Sequence, residues 1–125
     1  MNRINPEKVW KPTIFVHATS NGTIMITSGQ TGRNISGVVV SDSFSEQARQ
    51  AMENIRNIVE SQGKTMDDVM KLTVYVNDIR YQSKYVEILG EFFSTDKRPA
   101  ITLLSVTGLG DEHQLIEIEA IVDLS

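Results

Sequence analysis

Two rhythms of apolar residues run along the chain, one near period two and one near period 3.6. The first ten residues are polar and irregular, ending in Trp10. Thr13 to Ala18 then alternates around β-branched residues, Asn21-Gly22 supplies a hairpin turn, and Thr23 to Ser28 returns. Alternation predicts Ile14, Val16, Ile24 and Ile26 on a buried face, with Phe15, His17, Met25 and Thr27 on the other. Gly29 to Asn34 breaks the strand, and Val38-Val39-Val40 reads as a short buried extension. At Ser43 the rhythm changes. Ser43 and Glu46 fit a capping box, and Phe44, Ala48, Ala51, Met52, Ile55 and Val59 follow at helical spacing. Gly63 stands where a terminating glycine belongs, so the spacing predicts a helix over 44–62.

Period two resumes in Val69 to Val76, with Met70, Leu72, Val74 and Val76 on one face and Lys71, Thr73 and Tyr75 on the other. Asp78 can cap a second helix whose stripe is Tyr81, Tyr85, Ile88, Leu89 and Phe92. Ala100 to Val106 is a strand, Gly108-Leu109-Gly110-Asp111 turns the chain, and Leu115 to Val122 is the last strand. There Ile116, Ile118, Ala120 and Val122 face one way and Glu117 and Glu119 the other. The order β-β-α-β-α-β-β predicts an α+β fold over residues 1–125 as one domain. Strand–helix–strand units favour parallel pairing, while the hairpin and the final two strands are expected to pair antiparallel. Two helices can cover one face of this mixed sheet. The other face, with Phe15, Thr73, Tyr75, Glu117 and Glu119, is partly apolar and partly acidic, which suits subunit contact.

Composition narrows the chemistry. There is no cysteine, which removes disulfides, thiol nucleophiles and cysteine-based metal sites, and only His17 and His113 could serve as imidazole ligands. The net charge of −4 argues against nucleic acid, whose binding rests on phosphate neutralisation. No apolar run has the length of a membrane span and no leader-like segment opens the chain, so a cytoplasmic protein without membrane partners is expected. Glu117 is the first candidate for chemistry. A carboxylate on an apolar strand can hold and activate water if an interface desolvates it. Ser28 ends a strand beside Gly29, and its hydroxyl and the two amides could bind an oxygen. His17 reads as a neutral structural histidine on the non-core face; Arg33 and Arg98 lie in loops that could reach a pocket.

Several segments together resemble the RidA/YjgF family, also described as endoribonuclease L-PSP or translation-inhibitor proteins. They are Ile26-Thr27-Ser28-Gly29-Gln30, then Gln47-Ala48-Arg49-Gln50 with Asn54 and Val59-Glu60, and Lys71 through Asp78. Phe92-Phe93, Arg98-Pro99-Ala100 and Ile116-Glu117-Ile118-Glu119-Ala120 complete the set, in order, across Pro12 to Val122. The resemblance implies the chorismate-mutase-like fold, a homotrimer, and a small-molecule ligand in clefts between subunits. It also implies cofactor-free hydrolysis of enamines and imines such as 2-aminoacrylate to 2-keto acids and ammonia. On the family pattern Ser28 and Gly29 match a serine–glycine pair and Glu117 a water-positioning glutamate. Phe15 stands at a tyrosine position, and Ile101 at that of the arginine that grips the substrate carboxylate.

A bidentate arginine–carboxylate pair has two charge-assisted hydrogen bonds of roughly 1.5–3 kcal/mol each. Its loss should weaken carboxylate binding by about 10²–10⁴-fold. Arg33 or Arg98 then substitutes, or the ligand is not a small 2-imino acid. The expected function is therefore imine or enamine deamination of an atypical substrate. The alternatives are a non-catalytic small-molecule binder or holdase, and a ribonuclease, which the acidic charge disfavours.

Overall fold

A computed structural model describes residues 1–125. The chain runs β1 (Asn2–Ile4), β2 (Ala18–Ser20), β3 (Ile24–Thr27), α1 (Phe44–Glu60), β4 (Val69–Val76), α2 (Gln82–Leu89), β5 (Ala100–Ser105) and β6 (Ile116–Asp123). The six strands form one sheet in the order β1-β2-β3-β6-β4-β5. Only the β4–β5 pair is parallel, joined by the α2 crossover; every other neighbouring pair is antiparallel. The mixed α+β sheet with two helices is as expected from the sequence.

α1 forms where the 3.6-residue pattern put it. The Ser43 hydroxyl accepts from the Glu46 amide at 3.3 Å. The reciprocal half of the box differs: the Glu46 carboxylate accepts from the Ser41 hydroxyl, which in turn receives the Ser43 amide. Gly63 follows the helix with φ +73°, a conformation that costs a side-chain-bearing residue energy. Ala48, Ala51, Met52, Ile55, Ile58 and Val59 are wholly buried, and α1 packs on β6. With Leu72, Val74 and Val76 of β4 and Ile116, Ile118 and Val122 of β6 they make the core.

The N-terminal hairpin corrects the sequence reading in three ways. Thr13 to His17 is not a strand: the His17 amide donates to Asn5 Oδ1, a side chain, so the ladder begins only at Ala18. Asn2–Ile4, expected to be irregular, pairs with β2 instead. The register Ala18↔Thr27, Thr19↔Ile26, Ser20↔Met25 puts Met25 and Thr27 inside and Ile24 and Ile26 outside, opposite to expectation. Thr27 is tolerated inside because its hydroxyl accepts from the Ala120 amide at 3.0 Å.

Further along, Val38-Val39-Val40 forms no strand; Val39 makes only a bridge to Arg33. A register shift between Val69 and Lys71 turns Met70 outward and Val69 inward. The last two strands do not pair with each other, because β6 inserts between β3 and β4 and leaves β5 at the edge. That insertion fixes the neighbours of Glu117.

Candidate functional site

β6 alternates cleanly, so Glu117 and Glu119 stand on the face that the helices leave bare. Tyr75 of β4 is the cross-strand partner of Glu117, and Thr73 that of Glu119. The Tyr75 hydroxyl donates to Glu119 Oε1 at 2.5 Å. On the other side, Gln30 exchanges both backbone hydrogen bonds with Ile118, at 2.7 and 2.8 Å. That bridge resumes the antiparallel pairing of β3 with β6 after a one-residue shift, and holds the Ser28-Gly29 segment alongside β6. A Cβ on Gly29 would lie 2.6 Å from the Glu117 carboxyl carbon, so only glycine fits between backbone and carboxylate. Burial, and then the negative charge of Glu119, holds the Glu117 carboxyl above its ordinary pKa.

Ser28 is more constrained than the sequence suggests. Its amide donates to the His17 carbonyl at 2.8 Å and its hydroxyl to the Val16 carbonyl at 2.6 Å. Both donors are engaged within the chain, so toward a ligand the hydroxyl offers lone pairs only. Of the two amides, the Gly29 N–H is the one without a hydrogen-bond partner in the chain. Phe15 lies two-fifths exposed, edge-on to Trp10 and His17. With Ser28, Ala18 and Ile26 it lines a cavity of about 300 Å³.

The chain thus gathers Glu117, Gly29, Ser28 and Phe15. Ile101 is elsewhere: half-buried on β5 beside Leu72, it faces the helix side of the sheet, whereas Leu104, beside Tyr75, shares the Glu117 face. Arg98 is exposed and reaches toward Gly90 at the end of α2, on the helix side. Arg33 is engaged already. Its guanidinium donates to the Gly37 carbonyl at 2.6 Å and to Asp111 at 3.3 Å, lies over the Trp10 ring, and meets the Gln114 amide oxygen. Neither arginine enters the site within one chain. His17 is neutral as expected, its pKa lowered by burial, but it lies inside rather than on a strand's outer face. Sequence reasoning passed over Gln30, which is wholly buried. The signal was a polar residue directly after Ser-Gly in an otherwise β-branched stretch.

No group of three or more carboxylate or imidazole ligands comes together, and no helix is long and apolar enough to cross a membrane. The fold and site define a class: a mixed-sheet α+β protein with a half-buried acid on its bare face, set against a glycine whose backbone amide is free. Residues 9–124 match the endoribonuclease L-PSP family profile, and the chain belongs to this family, also known as RidA/YjgF. It is 35% identical over 108 residues to a RutC family protein of Pyrococcus horikoshii, covering 86% of this chain and 84% of that one. It is 34% identical over 109 residues to the 2-iminobutanoate/2-iminopropanoate deaminase of Salmonella typhimurium, covering 86% and 84%. The crystal structure of the Escherichia coli YjgF gene product superposes with a TM-score of 0.91 at 31% identity over the full length of both chains.

Proposed function

We propose that this protein hydrolyses a small imine or enamine that carries no carboxylate for an arginine at position 101 to grip. The observation that carries the reading is the Glu117 carboxylate, half-buried and pressed against Gly29, whose amide has no partner in the chain. Glu117 takes a proton from water as the water oxygen bonds to the imine carbon, and passes it to nitrogen as the C=N π pair moves there. The Gly29 N–H stabilises charge as it develops at the reacting group. Glu117 then takes the carbinolamine hydroxyl proton and returns it to nitrogen as the C–N bond breaks. The products are a carbonyl compound and ammonia, and no cofactor takes part.

We place this site between copies of a homotrimer. The bare face leaves Ile24, Ile26, Leu104 and Ile121 from 37% to 52% exposed beside two carboxylates, a mixture that neither solvent nor a core suits. A second copy would supply the desolvation that one chain gives only in part. In that assembly β5, the edge strand that carries Leu104 on the bare face and Ile101 on the other, would border the neighbouring copy.

The test generates two imines in situ, 2-iminobutyrate and an imine made by oxidising a simple amine, and follows ammonia release with and without the protein. Acceleration of the carboxylate-free imine that is lost in Glu117→Gln is expected. Acceleration of 2-iminobutyrate matching the Salmonella relative would overturn the substrate assignment. Acceleration of neither, by folded protein, would replace the enzyme by a binding protein.

A further inference from the structure

Behind the Ser28–Gly29 peptide lies a line of buried polar groups that the reaction above does not use. His17 Nε2 is 2.5 Å from the Trp10 carbonyl, which can only accept, so Nε2 carries the proton and Nδ1 is bare. The Gln30 side-chain amide is 3.0 Å from that bare Nδ1 and donates its other hydrogen to the Ser28 carbonyl at 3.2 Å. Two acceptors therefore fix which way the Gln30 amide points. The consequence is costly: Gln30 Oε1 is buried without a partner. A buried orphan of this kind calls for a reason, and the peptide that Gln30 holds supplies one. In a trans peptide the carbonyl and the N–H point to opposite edges of the plane. Fixing the Ser28 oxygen toward the interior therefore fixes the Gly29 N–H away from it.

We infer that Gln30, itself held by His17, is a positioning residue that sets the Ser28–Gly29 peptide so that the Gly29 N–H is presented to the ligand beside Glu117. This rests on the hydrolase reading for its purpose but not for its geometry. The backbone bridge of Gln30 to Ile118 fixes where the segment lies alongside β6; the side chain fixes the rotation of the peptide there. His17 could not do this as an imidazolium, since Nδ1–H would then oppose the Gln30 amide. Its burial, which lowers its pKa, keeps the ring in the neutral form the arrangement needs.

Three variants test this on the full chain. His17→Phe keeps a ring against Trp10 and Phe15 but removes the acceptor. His17→Asn keeps an acceptor where Nδ1 stood. Gln30→Met keeps length and removes both donated bonds together with the orphan oxygen. The readouts are the NMR resonances of the Ser28 carbonyl carbon and the Gly29 amide, and kcat against KM for whichever imine the wild type hydrolyses. We expect both resonances to move in His17→Phe and Gln30→Met and to return toward wild type in His17→Asn. We expect kcat to fall roughly 10–100-fold in the first two, the scale of a misplaced or lost transition-state donor, with KM little changed. Gln30→Met removes an orphan, so it serves if His17→Phe does not fold. Unmoved resonances in folded Gln30→Met overturn the inference. If the wild type hydrolyses no imine, the hydrolase reading fails and the resonances alone decide this one.

Discussion

The two faces of the sheet are made from the same strands yet obey different rules. On β6, Ile116, Ile118, Ala120 and Val122 vanish under α1, while Glu117, Glu119 and Ile121 alternate with them on the bare side. The covered face is governed by volume. On β6 each residue of that face is apolar, nearly dry and replaceable only by something of its own size. The bare face is governed by pairing. Tyr75 engages Glu119, Gly29 makes way for Glu117, and Ile24, Ile26 and Ile121 lie exposed between them. A stable monomer gains nothing from placing two carboxylates among isoleucines. The difference teaches that one face serves the fold, and the other is the face on which we propose contact and chemistry.

The comparison is broken most severely by putting one kind of residue on the wrong side. Ile118→Asp buries a charge with no counter-ion beneath α1, a change that costs several kcal/mol. We expect loss of cooperative unfolding and of the native circular-dichroism spectrum. Ile121→Lys, three positions on but facing outward, should leave the spectrum intact and instead reduce the mass in sedimentation equilibrium from a trimer to the 14.0 kDa chain. A wild type that already sediments as a monomer would sink the subunit interface and the site placed there.

Next in size is the chemical step. Glu117→Gln keeps the shape against Gly29 but removes the proton acceptor, so turnover of the imine should fall about 10²–10⁴-fold, as for other general bases. Wild-type activity should decline as pH falls through the raised pKa of Glu117, because the protonated carboxyl cannot take a proton from water. A pH profile flat through the acid range, or a glutamine variant as fast as wild type, would remove Glu117 from the reaction.

What could be read from the sequence follows the same division. α1 and β6 declared themselves because their covered faces are long and strictly periodic: nine residues of α1 are buried, enough to define its phase. The hairpin is ambiguous because β2 and β3 are short, three and four residues, and β3 carries apolar side chains on both faces. A one-residue error in register then inverts inside and outside. Thr13 to Val16 has strand propensity, but His17 binds Asn5 and Trp10, so tertiary hydrogen bonds override it. Glu117 and Gly29 were legible as a family motif. The bonds of Ser28 to Val16 and His17, and the role of Gln30, were not, since each joins residues through the hydrogen-bond partners of one peptide and leaves no periodic trace.

A smaller effect is expected at the edge strand. Ile101 is half-buried beside Leu72, and we take it to border the site of a neighbouring copy. Ile101→Arg supplies a guanidinium where the family pattern has one. One charge-assisted hydrogen bond to a substrate carboxylate, about 1.5–3 kcal/mol, would raise kcat/KM for 2-iminobutyrate roughly tenfold or more. Adding Glu117→Gln should cancel the gain. The melting temperature of the variant must be measured first, because an arginine without its partner is costly where isoleucine was half-buried. A folded, trimeric Ile101→Arg protein with wild-type activity would mean that position 101 does not set the substrate.

The smallest effect sharpens the comparison from the stability side. Burial and the Glu119 charge raise the pKa of Glu117 in the folded chain above its ordinary value of 4.5. Between the unfolded and folded pKa values, the native state therefore holds a proton that the unfolded state has lost. Below that window the carboxyl is neutral in both states and folding bears no penalty from it. As pH rises through the folded pKa the group ionises in place, and folding must desolvate a charge beside another charge. The contribution of Glu117 to stability therefore falls with rising pH, whereas a glutamine at the same position does not titrate. The melting temperatures of wild type and Glu117→Gln should nearly coincide at the acid end of the range and separate above it, with the variant higher. A residue of the covered face, such as Ile58→Val, should instead lower the melting temperature by the same amount at every pH, since no proton is linked to its burial. If the gap between Glu117→Gln and wild type is constant with pH, the carboxylate is solvated in the native protein. The bare face is then open surface, and the reason for placing chemistry there is gone.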